Sequence, residues 1–327
     1  MHKHNPKTVQ VPQRLERNHP FRQWKRWKIP GTDFTLIGYS RSNDFTFFYI
    51  PELKCCLDAG LCEGRKPDYV FLTHTHNDHA ADIEFLASKD TGAQLYAPEQ
   101  SVDYIKAFIR SKRELNHVAA FDPQRSPPVL LQGVRDGDNV AFGKKGQYNV
   151  RVVKCKHKIP CVGYCFSEIK MRLKPEFQKL KEEMKEQGKA REFGKLMAEK
   201  RRENIEVQER YEQPLFVFMG DTHVRVFEEN PWLLDYPVII TECTYLNDQE
   251  RERAESNGHT LWSQLRPFIE SNPQTIFVLT HFSLRHSDRE VIAFFEALTS
   301  KEPSVDLSNV VLWAQSESYL PEQHQRR

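Results

Sequence analysis

Short apolar runs, separated by turn residues, dominate the first hundred residues. Residues 34–38, 45–50 and 55–58 are rich in β-branched and aromatic side chains, with turn residues at 40–43 and 51–52. They predict three strands. Residues 69–72 are apolar without alternation, as expected of a strand covered on both faces. A helical pattern follows over 80–88. Residues 94–97 predict another strand, and 101–113 a helix with Ser101 as its N-cap. Later, 150–155, 215–219, 238–241 and 275–279 predict strands, and 262–269 and 289–298 amphipathic helices. This alternation predicts an α/β fold with large sheets covered by helices.

Two stretches break the pattern. Residues 1–28 are basic and carry Pro6, Pro12 and Pro20, so they read as a tail. Residues 170–212 are charged helix formers. Phe177, Leu180 and Met184, then Phe193, Leu196 and Met197, recur there at helical spacing, with Gly188 where a hairpin would turn. The segment reads either as a solvated helical face or as an arm inserted into the globular domain.

Composition narrows the class. The 327 residues, 39% hydrophobic and 28% charged, are enough for one large domain or two ordinary ones. No apolar run approaches the ~18–20 residues of a membrane span. The N-terminus lacks the apolar core of a secretory signal, while its basic character leaves an organellar transit peptide open. None of the seven cysteines forms a spaced CxxC pair, which fits a reducing, intracellular compartment, cytoplasmic or nuclear. A net charge of +2 means that any nucleic-acid role must rest on local basic patches.

The chemistry concentrates in Thr73-His74-Thr75-His76-Asn77-Asp78-His79, directly after the strand at 69–72. Imidazole nitrogens and a carboxylate suit Zn²⁺. Alternation sends His74 and His76 to one side, and the following turn brings Asp78 and His79 to a second position, so one loop can serve two metals. The HxHxDH motif resembles the metallo-β-lactamase superfamily. That resemblance implies further ligands, and each expected residue follows an apolar strand: His157, Asp221 and His281. Alone, a histidine after a strand is more often a surface residue. The family pattern implies one metal held by His74, His76 and His157, another by Asp78, His79 and His281, and Asp221 bridging them. Asp58 matches the family carboxylate that orients a ligand histidine.

The finer motifs resemble the tRNase Z-like branch, zinc phosphodiesterases that cut tRNA precursors after the discriminator base. HKIPCVGYCF, GDT, Thr241-Glu242-Cys243-Thr244, Gly258-His259-Thr260 and HFSLRH come in that branch's order over roughly residues 32–316. The 170–212 segment lies where the branch carries its tRNA-gripping exosite. The departures are an opening segment GYSRSNDFTFF without the family's glycine- and proline-rich loop, a divergent LDAGLCEGRKPDY, Thr241 in place of a histidine, and an arm without the Gly-Pro signature.

The resemblance implies a four-layer αβ/βα sandwich over residues 29–318, with a short tail at 319–327. It implies two Zn²⁺ per chain and an RNA substrate, a tRNA precursor. No membrane partner is expected, and a homodimer is left open. Asp78 is the expected proton acceptor, His259 the expected general acid for the leaving 3′ oxygen, and Glu242 the carboxylate that holds its ring. Ser283 and Arg285 are candidate phosphate contacts, with a surface ion pair as the plain reading of Arg285. Tyr164 reads as core, His117 and His286 as surface residues, and His223 as a neighbour of the site. Cys155, Cys161 and Cys165 read as buried structural thiols. Two other readings stand beside this one: a hydrolase of the same fold acting on a small phosphodiester such as a cyclic nucleotide, and a catalytically silent RNA-binding homologue.

Overall fold

The computed structural model describes residues 24–87, 92–302 and 305–314. The expected tail lies largely outside them, as does the C-terminal stretch 319–327. Residues 25–28 are an exception, because they form a strand rather than a tail.

Two seven-stranded sheets follow one another along the chain. The first runs in chain order: β1 (Lys25–Lys28), β2 (Thr35–Ser40), β3 (Thr46–Ile50), β4 (Cys55–Leu57), β5 (Tyr69–Phe71), β6 (Gln94–Pro98) and β7 (Leu130–Val134). The second holds β8 (Asn139–Phe142), β9 (Tyr148–Lys154), β10 (Val162–Leu173), β11 (Gln208–Phe218), β12 (Val238–Glu242), β13 (Ile276–Thr280) and β14 (Val310–Leu312). In each, an antiparallel meander gives way to parallel pairing, from β4 to β7 and from β11 to β14.

The sheets pack face to face. Leu36, Phe48 and Phe71 of the first meet Val152, Phe166 and Phe218 of the second in one cluster. On the outer face of the first sheet, Val70, Leu72 and Leu95 pack under α2 (Ile83–Ala87) and α3 (Val102–His117), which follow the short α1 (Asn77–Ala80). On the outer face of the second, Val217, Ile239 and Phe277 are covered by helices that include α8 (Trp262–Ser271) and α9 (Asp288–Lys301). The fold is therefore a four-layer α/β sandwich. Strands 69–71, 238–242 and 276–280 are buried on both faces, which explains their unbroken apolar runs. Among the described residues, no helix is long and apolar enough to cross a membrane.

The 170–212 segment differs from the helical expectation at both ends. Residues 162–173 and 208–218 form a long hairpin, and α4 (Pro175–Glu186) and α5 (Ala190–Arg202) sit at its tip. Gly188, at φ 74°, turns between them. The outer hairpin is a mixture of exposed and half-buried residues, so it reads as polar along the chain. Ser101 also departs from expectation. It lies in a turn of 3₁₀ helix (Glu99–Ser101) with helical dihedrals of its own, and its side chain caps nothing. The expected helix at 80–88 is split, with α1 starting earlier at Asn77. After it come α6 (Arg225–Glu229) and α7 (Arg251–Asn257) in the second half.

Candidate metal centre

The C-terminal ends of β4, β5, β9, β11, β12 and β13 meet at one edge of the sandwich. The loops after them carry Asp58, His74–His79, His157, Asp221 and His281, and β12 itself ends on Glu242. Two glycines allow the backbones to come this close. A Cβ on Gly60 would lie 1.9 Å from the Asp78 carbonyl oxygen, and one on Gly220 would lie 2.6 Å from both Thr73 Cβ and Cys161 Sγ. Asp58 and His281 adopt left-handed dihedrals, with φ 62° and 58°. A non-glycine residue holds that conformation only where its surroundings impose it.

Two groups of donors form. His74, His76, His157 and Asp221 bring one ligand atom each within 4.8 Å of one another, as do Asp78, His79 and His281. In the first group His74 Nε2 and His157 Nε2 each stand 3.1 Å from His76 Nδ1. In the second, His79 Nε2 stands 3.2 Å from His281 Nε2, and Asp78 Oδ2 stands 3.4 Å from the latter. Asp221 lies between. Its Oδ2 is 3.6 Å from His74 Nε2, while its Oδ1 is 3.4 Å from His79 Nε2 and 3.5 Å from His281 Nε2. Asp221, His259 and His281 form a third, overlapping group.

Protonation supports a cation here. Burial holds His74, His76 and His157 below the ordinary histidine pKa, so their rings are neutral and carry free lone pairs. Burial opposes ionisation of Asp78, but its bond to His281 and the charges of His79 and His281 outweigh it and hold the carboxyl at about 2. Burial also disfavours a proton on His79, yet Asp221, Asp58 and Asp78 raise it to about 10. That proton answers a demand for positive charge that a divalent cation answers as well. Nitrogen and carboxylate donors at this spacing fit a divalent metal.

Groups behind the donors set their tautomers. Asp58 Oδ2 lies 2.7 Å from His79 Nδ1, so Nε2 faces inward, and Asp58 Oδ1 accepts from the Thr73 N–H and hydroxyl. Thr73 Oγ1 also lies 3.0 Å from His74 Nδ1, and Thr244 Oγ1 lies 3.1 Å from His281 Nδ1. His157 Nδ1 lies 3.2 Å from the Gly258 carbonyl oxygen. Gly258 ends α7 at φ 68°, and a Cβ there would lie 3.0 Å from His157 Cα, so both conformation and space favour glycine before His259.

His259 Nδ1 donates to Glu242 Oε1 at 2.8 Å. Burial lowers its pKa, but the charge and bond of Glu242, then the charge of Asp221, raise it to about 9. An open cavity of about 390 Å³ runs over these groups, lined by Ser42, Asn43, Asp78, Lys158, Asn257 and His259 among others.

Other expected residues fall outside the cavity wall. Arg285 pairs with Glu250 at 3.0 Å, and the Ser283 hydroxyl accepts from the Arg285 N–H. Neither residue lines the cavity over the donors. Tyr164 is core, its hydroxyl donating to the Leu72 carbonyl at 2.6 Å. Cys155, Cys161 and Cys165 are buried free thiols. His117 lies in the last turn of α3, with Nδ1 2.8 Å from the Arg113 carbonyl. His223 sits beside the site and pairs with Glu255. His286 is half-buried rather than exposed. Thr241 is buried in β12 and does not line the cavity. Sequence reasoning missed Thr73 and Thr244. Hydroxyls adjacent to motif residues were visible, but which ring nitrogen each would meet was not.

Residues 59–172 match the family described as the Beta-lactamase superfamily domain. A chloroplastic tRNase Z of Arabidopsis thaliana is 25% identical over 278 residues, covering 82% of this chain and 73% of its own. A ribonuclease Z of Haloarcula marismortui is 24% identical over 244 residues, covering 67% and 71%. Among solved structures, the metallo-β-lactamase fold protein YhfI of Bacillus subtilis aligns at TM-score 0.48 and 14% identity, covering 86% of this chain and 88% of its own.

Proposed function

We propose that this chain, a divergent tRNase Z-like protein of the metallo-β-lactamase superfamily and a metal-dependent hydrolase, is a dinuclear zinc endoribonuclease that removes 3′ extensions from tRNA precursors. The observation that carries the reading is the Glu242–His259 pair set against two donor groups with Asp221 between them. A phosphodiester hydrolase needs an acid for the leaving oxygen beside its metals, and here the acid has its own carboxylate.

In this reading His74, His76, His157 and Asp221 would hold the first Zn²⁺, and Asp78, His79 and His281, again with Asp221, would hold the second. When bound, such a pair supplies Lewis-acid neutralisation of the phosphoryl oxygens and lowers the pKa of water toward ~7. The chain's own groups do the rest. Asp58 keeps His79 in the tautomer that presents Nε2. Asp78, ionised and facing the cavity, accepts the proton of the attacking water. His259 arrives protonated at neutral pH and gives its proton to the leaving 3′ oxygen, and Glu242 stabilises the imidazolium.

The arm supports an RNA substrate. Between residues 170 and 202 the chain carries 12 Lys and Arg against 6 Glu. On α4 and α5 nearly all of these charges are exposed. A long hairpin holds this cationic face away from the sandwich, suited to a phosphate backbone distant from the scissile bond. The test is cleavage of a 3′-extended tRNA precursor by the purified protein. A single cut releasing the extension supports the proposal. Hydrolysis of a cyclic nucleotide with no action on the precursor refutes it in favour of the small-diester reading.

A further inference from the structure

Arg41 follows β2 in the first sheet and is 5% exposed. Each guanidinium nitrogen reaches across the sandwich to the segment that follows His281, more than 240 positions along the chain. Nε donates to the Phe282 carbonyl at 3.1 Å, and Nη2 to the carbonyls of Ser283, at 2.8 Å, and His286. Nη1 pairs with Asp288, which also takes Lys25 at 3.3 Å. The next two residues continue the contact. The Ser42 N–H donates to the Phe282 carbonyl at 3.2 Å, and the Asn43 N–H to Asp78 Oδ2 at 3.1 Å. Residues 41–43 therefore hold the segment after His281 and bond the Asp78 carboxylate itself, whereas the rings of His74, His76 and His157 take no hydrogen bond from these three residues.

His281 needs such a grip. Its φ of 58° is unfavourable for a side chain with a Cβ, and its loop has no regular structure before α9 begins at Asp288. A buried guanidinium bonded to three backbone carbonyls of that loop fixes the backbone in which Nε2 meets His79 and Asp221. A planar fork does this where a lysine ammonium cannot.

We propose that Arg41 is a positioning residue for the metal held by Asp78, His79 and His281, and that without it this ion is lost selectively. The proposal rests on the two-metal reading above. The fold should survive the loss, because the inter-sheet core and the Trp313–Gly38 bond also join the two sheets. The test is titration of metal-free wild type, Arg41→Met and Arg41→Lys with cobalt(II), followed by its visible absorption, with circular dichroism as the check on folding. Wild type should take two ions. The variants should bind one ion with wild-type affinity and the other about 10–100-fold more weakly, the usual effect of losing a group that supports a ligand. If Arg41→Met does not fold, Arg41→Lys carries the test. Equal weakening of both ions would assign Arg41 a merely structural role and overturn the proposal. So would two ions bound by the variants as tightly as by wild type. A wild type that takes one ion refutes the two-metal reading itself, and the proposal with it.

Discussion

Glu242→Gln isolates the acid. The Glu242 carboxylate is buried and accepts from His259 Nδ1 at 2.8 Å, the Thr222 and Thr260 N–H groups at 2.8 and 3.1 Å, the Thr244 N–H at 3.3 Å and the Thr244 hydroxyl at 2.5 Å. Against burial, it is the main cause of the rise of His259 from 6.5 to about 9. That rise is worth about 3 kcal/mol in favour of the imidazolium. Glutamine keeps the shape and removes the charge, so His259 should fall back toward about 6.5. At pH 8 the protonated share would drop from about nine in ten to about one in thirty, and a step that needs it would slow about 30-fold. The assay is kcat against pH from about 6 to 10, on a nucleotide diester with a poor leaving group. Wild type should hold its rate to near pH 9, and the variant should lose rate from about pH 7 upward. The p-nitrophenyl diester, whose leaving group needs little protonation, should show no such change. Gln turns an amide N–H₂ toward backbone donors, so stability should fall by about 1–3 kcal/mol, and thermal melts separate that cost from the kinetic one. An alkaline limb that stays in place, or equal slowing on both substrates, would refute the acid role.

Further outcomes follow from the same geometry. Unchelated protein should contain close to two zinc ions per chain by elemental analysis, and Asp221→Ala should lose both metal and activity, since its two oxygens face the two donor groups. Activity that survives exhaustive chelation would sink the mechanism. Replacing residues 174–208 by a short Gly-Ser turn joins strands already paired at Arg172 and Glu209. It should weaken binding of the tRNA precursor and flatten its salt dependence, while hydrolysis of a small diester stays near wild type. Unchanged precursor cleavage at physiological salt would exclude the arm as an RNA-binding element. Gly220→Ala should cost well over 1 kcal/mol in a denaturant melt, because its Cβ would meet Thr73 and Cys161 at 2.6 Å, and an unchanged midpoint would contradict that packing.

The sequence alone brought out the motif at His74–His79, and the family resemblance it carries pointed to His157, Asp221 and His281, which the structure gathers at the same edge. Each donor loop follows a strand, most of them legible as apolar runs, and donors such as imidazole and carboxylate have few other uses in such company. The same periodicity exposed most of the buried strands and the amphipathic α8 and α9, because burial on one or both faces leaves a local pattern. It missed β1, β7, β8 and β14, the edge strands, where partial exposure blurs the pattern, the whole of β10 although its inner half is buried, and the outer half of β11, which with outer β10 looks like a run of helix formers. Tertiary structure decided what depends on distant backbone meeting. The two oxygens of Asp221 divide between two donor groups, Thr73 and Thr244 reach particular ring nitrogens, and Arg285 turns to Glu250 instead of the cavity. Arg41, polar and unremarked between two turn residues, becomes the group that holds the His281 loop. Such contacts join residues hundreds of positions apart, and no periodicity within one segment can record what the other sheet brings to it.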